Sequence, residues 1–303
     1  MQKNQNIPGG ILIVNKHAGV TSNDIVIRIR RLFGTRQVGH TGTLDPMATG
    51  VLPVLIGRAV KASDFIMAER KRYTAQMRLG ITTDTEDTTG TVLTSCADLP
   101  GEEKVLFAAR AFTGEILQIP PMYSALKVDG KKLVDLAREG ITVERQARPI
   151  TVHQMDAKRL TDDTYQLDVQ CSKGTYIRTL CADIGRALGC GGAMSALTRT
   201  ESGPFSLSDS ITVAELEEMT EEKRWARLIP LENYFLDLPA VVLPEFYARL
   251  ARNGCEIYQR KIRTDYPAGS MVRLYQGEEF FALGQVREYP DGSAIKAVKI
   301  LSL

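Results

Sequence analysis

The chain has 303 residues, 44% hydrophobic and 24% charged, with 38 Lys and Arg against 36 Asp and Glu. Such proportions describe a folded chain with a sizeable core, in one large domain or two smaller ones. They exclude a membrane-spanning run, since the longest apolar stretches, GILIV (10–14) and VLPVLI (51–56), are too short to cross a bilayer.

MQKNQNIPGG carries no apolar signal core, so a cytoplasmic protein is expected. The five cysteines form no C-x-x-C pair and the three histidines lie far apart, so no metal site is expected and the thiols read as reduced and structural. Charge is unevenly divided. Residues 1–61 carry a net +6, whereas 81–103 and 207–222 each hold six acids and no Lys or Arg. This sorting suits a positive face for a polyanion; two solvated acidic segments on a neutral surface would give the same counts.

In chain order, GILIVNK (10–16) reads as a buried strand ending in the turn HAGV. TSNDIVIRIRRLFG (21–34) reads as a helix: Thr21 or Ser22 caps it, Ile25, Ile29 and Leu32 share a face, and Gly34 ends it. GHTGTLDPMATG (39–50) follows as a loop. Pro53 inside VLPVLI predicts an edge or irregular strand. RYTAQMRLG (72–80) reads as a strand, TDTEDTTGT (83–91) as a polar turn, and EEKVLFAARAF (102–112) as a helix. QIPPMYSALKVDGKK (118–132) has a Pro-Pro break and a turn at Asp129–Gly130, and LVDLAREG (133–140) is a short helix. TVHQMDAKRL (151–160) and TYQLDVQCS (164–172) form two strands joined at 161–163, TYIRTLCADIGRALG (175–189) is an amphipathic helix, and MSALTRTESG (194–203) is another strand. From about 239 short strands and turns at 267–269, 276–277 and 290–292 suggest a small β-rich unit. The irregular order of elements predicts an α+β fold with a mixed, largely antiparallel sheet.

The loop 39–50 poses the chemical question. Gly39, Gly42 and Gly50 allow unusual backbone angles and close approach. Pro46 stiffens the chain and pushes Asp45 toward extended geometry, and the Thr41 and Thr43 hydroxyls can freeze the turn. The result is a preorganised, uncrowded carboxylate, suited to a nucleophile or general base. An Asp-Pro turn with no chemistry would read alike over three residues, but not over twelve.

GHTGTLDPMATGVLPVLIGRAVK (39–61) resembles the signature of the bacterial tRNA pseudouridine-55 synthases, the TruB family. NKHAGVTSNDIV (15–26), KRYTAQMRLGITTDTED (71–87), FTGEILQIPPMYSALKVDGKKL (112–133), LAREG (136–140), CSKGTYIRTL (171–180) and LGCGGAMSALTRTESGPF (188–205) agree in order. Two positions depart from the pattern: Val134 where an aromatic is expected, and Thr198 where a second arginine should precede Arg199.

The resemblance implies isomerisation of uridine 55 in the tRNA T-loop: base flipping, cleavage of the N1–C1′ bond, rotation of the base and rejoining through C5, without a cofactor. It implies that Asp45 is the essential carboxylate; attack on C1′, attack on the base and proton abstraction from the sugar all stay open to it. By the same resemblance Arg178 pairs with Asp45, Tyr73 stacks on the base, Tyr176 and Leu197 line the pocket, and His40 fills the space left by the flipped nucleotide. Lys16 and Arg28, Arg30, Arg31 and Arg36 are candidate phosphate contacts. A catalytic domain with RNA-binding insertions is implied over 1–238 and a small PUA-like RNA-binding domain over 239–303. Expected partners are the T-arm of tRNA, no membrane and no obligatory protein; the working unit is expected to be a monomer. Two other readings compete. A non-catalytic tRNA-binding or folding protein on this scaffold needs no Asp45, Tyr73 and Arg178 together, and a glycosidase normally needs two facing acids.

Overall fold

The strand expected at 10–16 forms as Gly10–Lys16 (β1). It is a continuous apolar run because both its faces are covered. Leu12 and Val14 enter one hydrophobic cluster, and Ile11 and Ile13 enter another on the opposite face. The structure, a computed structural model, describes residues 9–67, 70–128 and 130–302. Residues 1–8, with the expected absence of a signal core, and Asp129 of the expected Asp129–Gly130 turn lie outside the described residues.

Helix α1, Ser22–Leu32, starts where expected. The Thr21 side chain caps the Asp24 N–H, and the Asp24 carboxylate accepts from the Thr21 N–H at 2.8 Å, a reciprocal arrangement worth about 1 kcal/mol. Strand β2 is Val38–His40 and β3 is Thr49–Ile56. Pro53 overturns its expectation. It lies in an interior strand, opposite Ile13 of β1, and on the other side its carbonyl accepts from the Thr41 N–H at 3.1 Å. The missing proline N–H falls on that same side, where β2 gives way to the loop and no ladder partner is needed.

Strand β4, Arg70–Leu79, is followed by the hairpin β5, Ile81–Thr83, and β6, Val92–Ser95. Next come α2, Glu102–Ala111, and β7, Gly114–Gln118. The segment from 119 leads to the short helix α3, Leu133–Arg138. Strands β8, Arg148–Arg159, and β9, Thr164–Ser172, make the expected hairpin. Helix α4 is Ile177–Ala187 and strand β10 is Gly192–Ser202. With the short strand β11, Ile229–Pro230, the main sheet runs β11-β1-β3-β10-β4-β9-β8-β7. All these pairs are antiparallel except β3 with β10, so the sheet is mixed and largely antiparallel, in an α+β fold.

A five-stranded sheet forms from residue 240 on: β12, Ala240–Val242; β13, Glu256–Tyr258; β14, Met271–Gln276; β15, Glu279–Tyr289; and β16, Gly292–Ile300. It includes a helix the sequence reading did not anticipate, α5, Glu245–Arg252, which buries Ala248 and Ala251. This sheet packs on the main one through a shared apolar cluster of Ile11, Ile13, Val51 and Leu55 with Phe280, Leu283 and Leu301. The other face of β1 and β3 thus stays free to pack α1 and to support the loop between β2 and β3.

Candidate active site

The loop between β2 and β3 is held mainly through its backbone. Ser22, buried at the start of α1, accepts from the Leu44 N–H at 2.8 Å and donates to the Leu44 carbonyl at 3.1 Å. The Lys16 ammonium donates to the carbonyls of Ala48 at 2.6 Å, His17 at 3.0 Å and Pro46 at 3.2 Å. Arg199 donates to Val51 O at 2.7 Å and Gly42 O at 3.1 Å. Thr49 and Thr198 share a hydroxyl–hydroxyl hydrogen bond of 2.8 Å, so the departure at 198 serves local packing. Gly42 and Gly50 adopt φ +126° and +101°, where side-chained residues are strained, and a Cβ at Gly50 would lie 2.2 Å from the Arg199 carbonyl oxygen. Gly39 instead sits in β2 without a positive φ, and the Thr41 hydroxyl is buried without a partner among the described residues. The stiffness comes from Lys16, Ser22 and Arg199 rather than from Thr41.

Lys16 therefore corrects its expectation. It is 0% exposed and its ammonium is committed to carbonyls, so it cannot reach a phosphate. Burial pulls its pKa down to about 8, against the opposing pull of Asp45.

Asp45 projects from this loop toward the first turn of α4. Arg178 Nε lies 3.0 Å from Asp45 Oδ2, and Nη2 donates to Oδ1 at 3.4 Å. The guanidinium is 5% exposed and the carboxylate 36%, so the cation is sealed while the acid keeps an open side. The rest of the Arg178 fork is spent on fixing it. Nη1 donates to Thr85 O at 3.0 Å and lies 3.7 Å from Asp87 Oδ2, and Nη2 donates to Tyr123 O at 2.7 Å. Asp87 is itself fixed, accepting from the Thr89 N–H at 3.0 Å and the Thr85 hydroxyl at 2.9 Å. Burial pushes the Asp45 carboxyl above the usual carboxylate value, with Asp87 adding to the rise while Arg178 and Lys16 oppose it.

The start of α4 is placed by Gln118, buried at the end of β7. Its amide donates to Tyr176 O at 3.0 Å and accepts from the Tyr176 N–H at 2.8 Å. Tyr73 on β4 and Leu197 on β10 complete the wall; Leu197 pairs with Ala75, two residues along β4 from Tyr73. Asp45, Tyr73, Tyr176, Arg178 and Leu197 line one cavity of about 430 Å³, to which Val134 also contributes. That volume suits a single flat heterocycle with part of its sugar. Burial raises the pKa of Tyr73 and of Tyr176, so both phenols stay neutral near pH 7.

His40 does not line the cavity. It ends β2, half-buried, with its Nδ1 unpartnered among the described residues, and burial lowers its pKa, which keeps the imidazole neutral. Arg28, Arg30, Arg31 and Arg36 are all exposed, and Arg30 also donates to Val38 O at 3.1 Å. Asp87, Ser22, Gln118 and Arg199 had no assigned part in the site from sequence. The signals at Asp87 were its place in the polar turn 83–91 and at the end of the family-like segment 71–87, neither of which hints at burial against Arg178.

Residues 30–177 match the model of the TruB family pseudouridylate synthase N-terminal domain, and 178–244 that of the tRNA pseudouridylate synthase B C-terminal domain. A protein of Clostridium tetani named tRNA pseudouridine synthase B is 42% identical over 293 residues, covering 96% of this chain and 99% of its own. One of the same name from Francisella tularensis is 40% identical over 288 residues, covering 94% of this chain and 93% of its own. Among solved structures, an H/ACA ribonucleoprotein bound to a substrate RNA containing 2′-deoxyuridine is similar with a TM-score of 0.71 at 25% identity, covering 97% of this chain and 85% of that one. A Cbf5–Nop10–Gar1 complex matches with a TM-score of 0.71 at 27% identity, covering 98% and 86%.

Proposed function

The chain belongs to the TruB family of pseudouridylate synthases, and from that premise we propose that it isomerises uridine 55 in the T-loop of tRNA to pseudouridine. The observation that carries this reading is the Asp45–Arg178 pair, 3.0 Å apart at the wall of a cavity large enough for one base and shared with Tyr73. An ionised acid with an open side, steadied by a sealed guanidinium, is suited to assist rupture of the N1–C1′ bond. The freed uracil then turns and C1′ bonds to C5; the C5 proton is lost to solvent and N1 gains one, so the net reaction is an isomerisation.

In this reading the target nucleotide is flipped out of its stack, with Tyr73 against the base and Tyr176 and Leu197 bounding it. His40, outside the cavity and neutral, is placed to fill the vacated space in the RNA. The exposed Arg28, Arg30, Arg31 and Arg36 hold phosphates. We divide the chain into a catalytic domain over 1–238 and a PUA-like domain over 239–303 that supports the acceptor side of the tRNA. The working unit is a monomer in the cytoplasm, where its substrate resides.

The test is tritium release from a T-arm stem–loop carrying 5-tritiated uridine, since rejoining through C5 expels that label. Stoichiometric release with formation of pseudouridine is expected. Tight RNA binding without release would favour a folding or binding protein instead.

A further inference from the structure

Arg199 is among the largest fully buried side chains, at 0% exposure. A buried charge is costly unless it is paired, yet Arg199 has no ion-pair partner among the described residues. Its hydrogen bonds go to backbone carbonyls on either side of Asp45, to Val51 near the start of β3 through Nε and to Gly42 in the loop through Nη2. Nη1 makes no hydrogen bond among the described residues and lies 3.6 Å from where a Gly42 Cβ would stand.

The backbone of Arg199 is equally constrained. In the antiparallel pairing of β10 with β4 it stands directly opposite Tyr73, and in the parallel pairing of β10 with β3 it stands opposite Gly50. Residues opposite each other in a ladder share a face, so the guanidinium lies beside the Tyr73 side chain. Its charge also acts on the phenol, opposing the rise that burial imposes. One residue thus touches both catalytic elements, the loop that carries Asp45 and the strand that carries Tyr73. Full burial excludes it as a phosphate contact.

We propose that Arg199 is a positioning residue that locks the Asp45 loop and the Tyr73 strand into one frame, setting the distance between carboxylate and stacked base. The proposal rests on the isomerase reading above. Its consequence falls on the chemical step and not on RNA binding, because no RNA group reaches Arg199.

The experiment compares wild type, Arg199→Met and Arg199→Lys in single-turnover tritium release from the T-arm stem–loop at saturating protein. Kd for the same RNA and a thermal melt are measured alongside. Arg199→Met is expected to slow release on the order of 100-fold, the scale of a misplacement of about 1 Å, with Kd unchanged. Arg199→Lys, whose ammonium keeps the charge but not the planar fork, is expected to fall between the two. Should Arg199→Met fail to melt cooperatively, Arg199→Lys alone decides, through the same split between rate and Kd.

Wild-type release rates in both Arg199 variants would overturn the assignment, as would losses that track Kd or the unfolded fraction. No release from the wild type would overturn the isomerase reading itself, which keeps the two failures distinct.

Discussion

Arg178 reaches Asp45 through Nε at 3.0 Å while its Nη1 stands 3.7 Å from Asp87, so one sealed guanidinium serves two carboxylates, of which only Asp45 opens to the cavity. The shape of the fork allows this, because the remaining donors are held by Thr85 O and Tyr123 O. A lysine would keep the charge but could meet only one of these groups well. Arg178→Lys is therefore expected to lower the single-turnover rate on the order of 100-fold or more with little change in RNA Kd. Near-normal turnover would remove Arg178 from the mechanism.

Tyr73 separates stacking from hydroxyl chemistry. Its ring lines the cavity and its hydroxyl lies in a buried, Arg199-flanked setting. Tyr73→Phe keeps the ring and should leave Kd unchanged. Tyr73→Ala should lose about 1–3 kcal/mol of stacking, roughly a 5- to 150-fold weaker Kd for a flipped-base substrate. A large binding loss in Tyr73→Phe would rule out a role limited to stacking.

These residues were legible to different degrees. Strand β1, helix α1, the β8–β9 hairpin and helix α4 follow from period and punctuation, which are local properties. Pro53 was misplaced because an edge strand differs from an interior one only through its neighbours. Helix α5 was missed because its EFYARLAR sequence sits between strand-like segments and buries only two alanines. In the site, the glycines and Pro46 announced a stiff loop around Asp45, but the partners that stiffen it are far away in sequence. Arg178 and Asp45 are 133 positions apart, and Arg199 and Val51 are 148 apart. Nothing local distinguishes a buried cation such as Lys16 from a surface one.

That distinction gives a salt test. Lys16 is sealed and Arg31 is exposed. Arg31→Ala is expected to reduce the slope of log Kd against log salt concentration by about 1 if it holds a phosphate. Lys16→Met should leave that slope unchanged while slowing turnover, because it frees the Pro46 and Ala48 carbonyls beside Asp45. A slope change in Lys16→Met would restore it as a phosphate contact.

The pH dependence follows from the raised pKa of Asp45. Its folded value lies above 3.8, so the folded state binds this proton more tightly than the unfolded chain does. This group's contribution to stability is then greatest at low pH and is lost as pH rises through the raised value. Relative to Asp45→Asn, the wild type is expected to lose stability across that interval, as read by thermal melts from about pH 3 to about pH 8. The acid limb of the single-turnover rate should likewise have its midpoint above 3.8. A midpoint at or below that value would mean that a different group controls the limb.

The most direct measurement compares Asp45→Asn with wild type for both RNA affinity and tritium release on the T-arm substrate. Asparagine preserves shape and removes the charge that Arg178 faces. Unchanged Kd with release abolished is the expected result. Release at a rate comparable with wild type would contradict the central role given to this carboxylate.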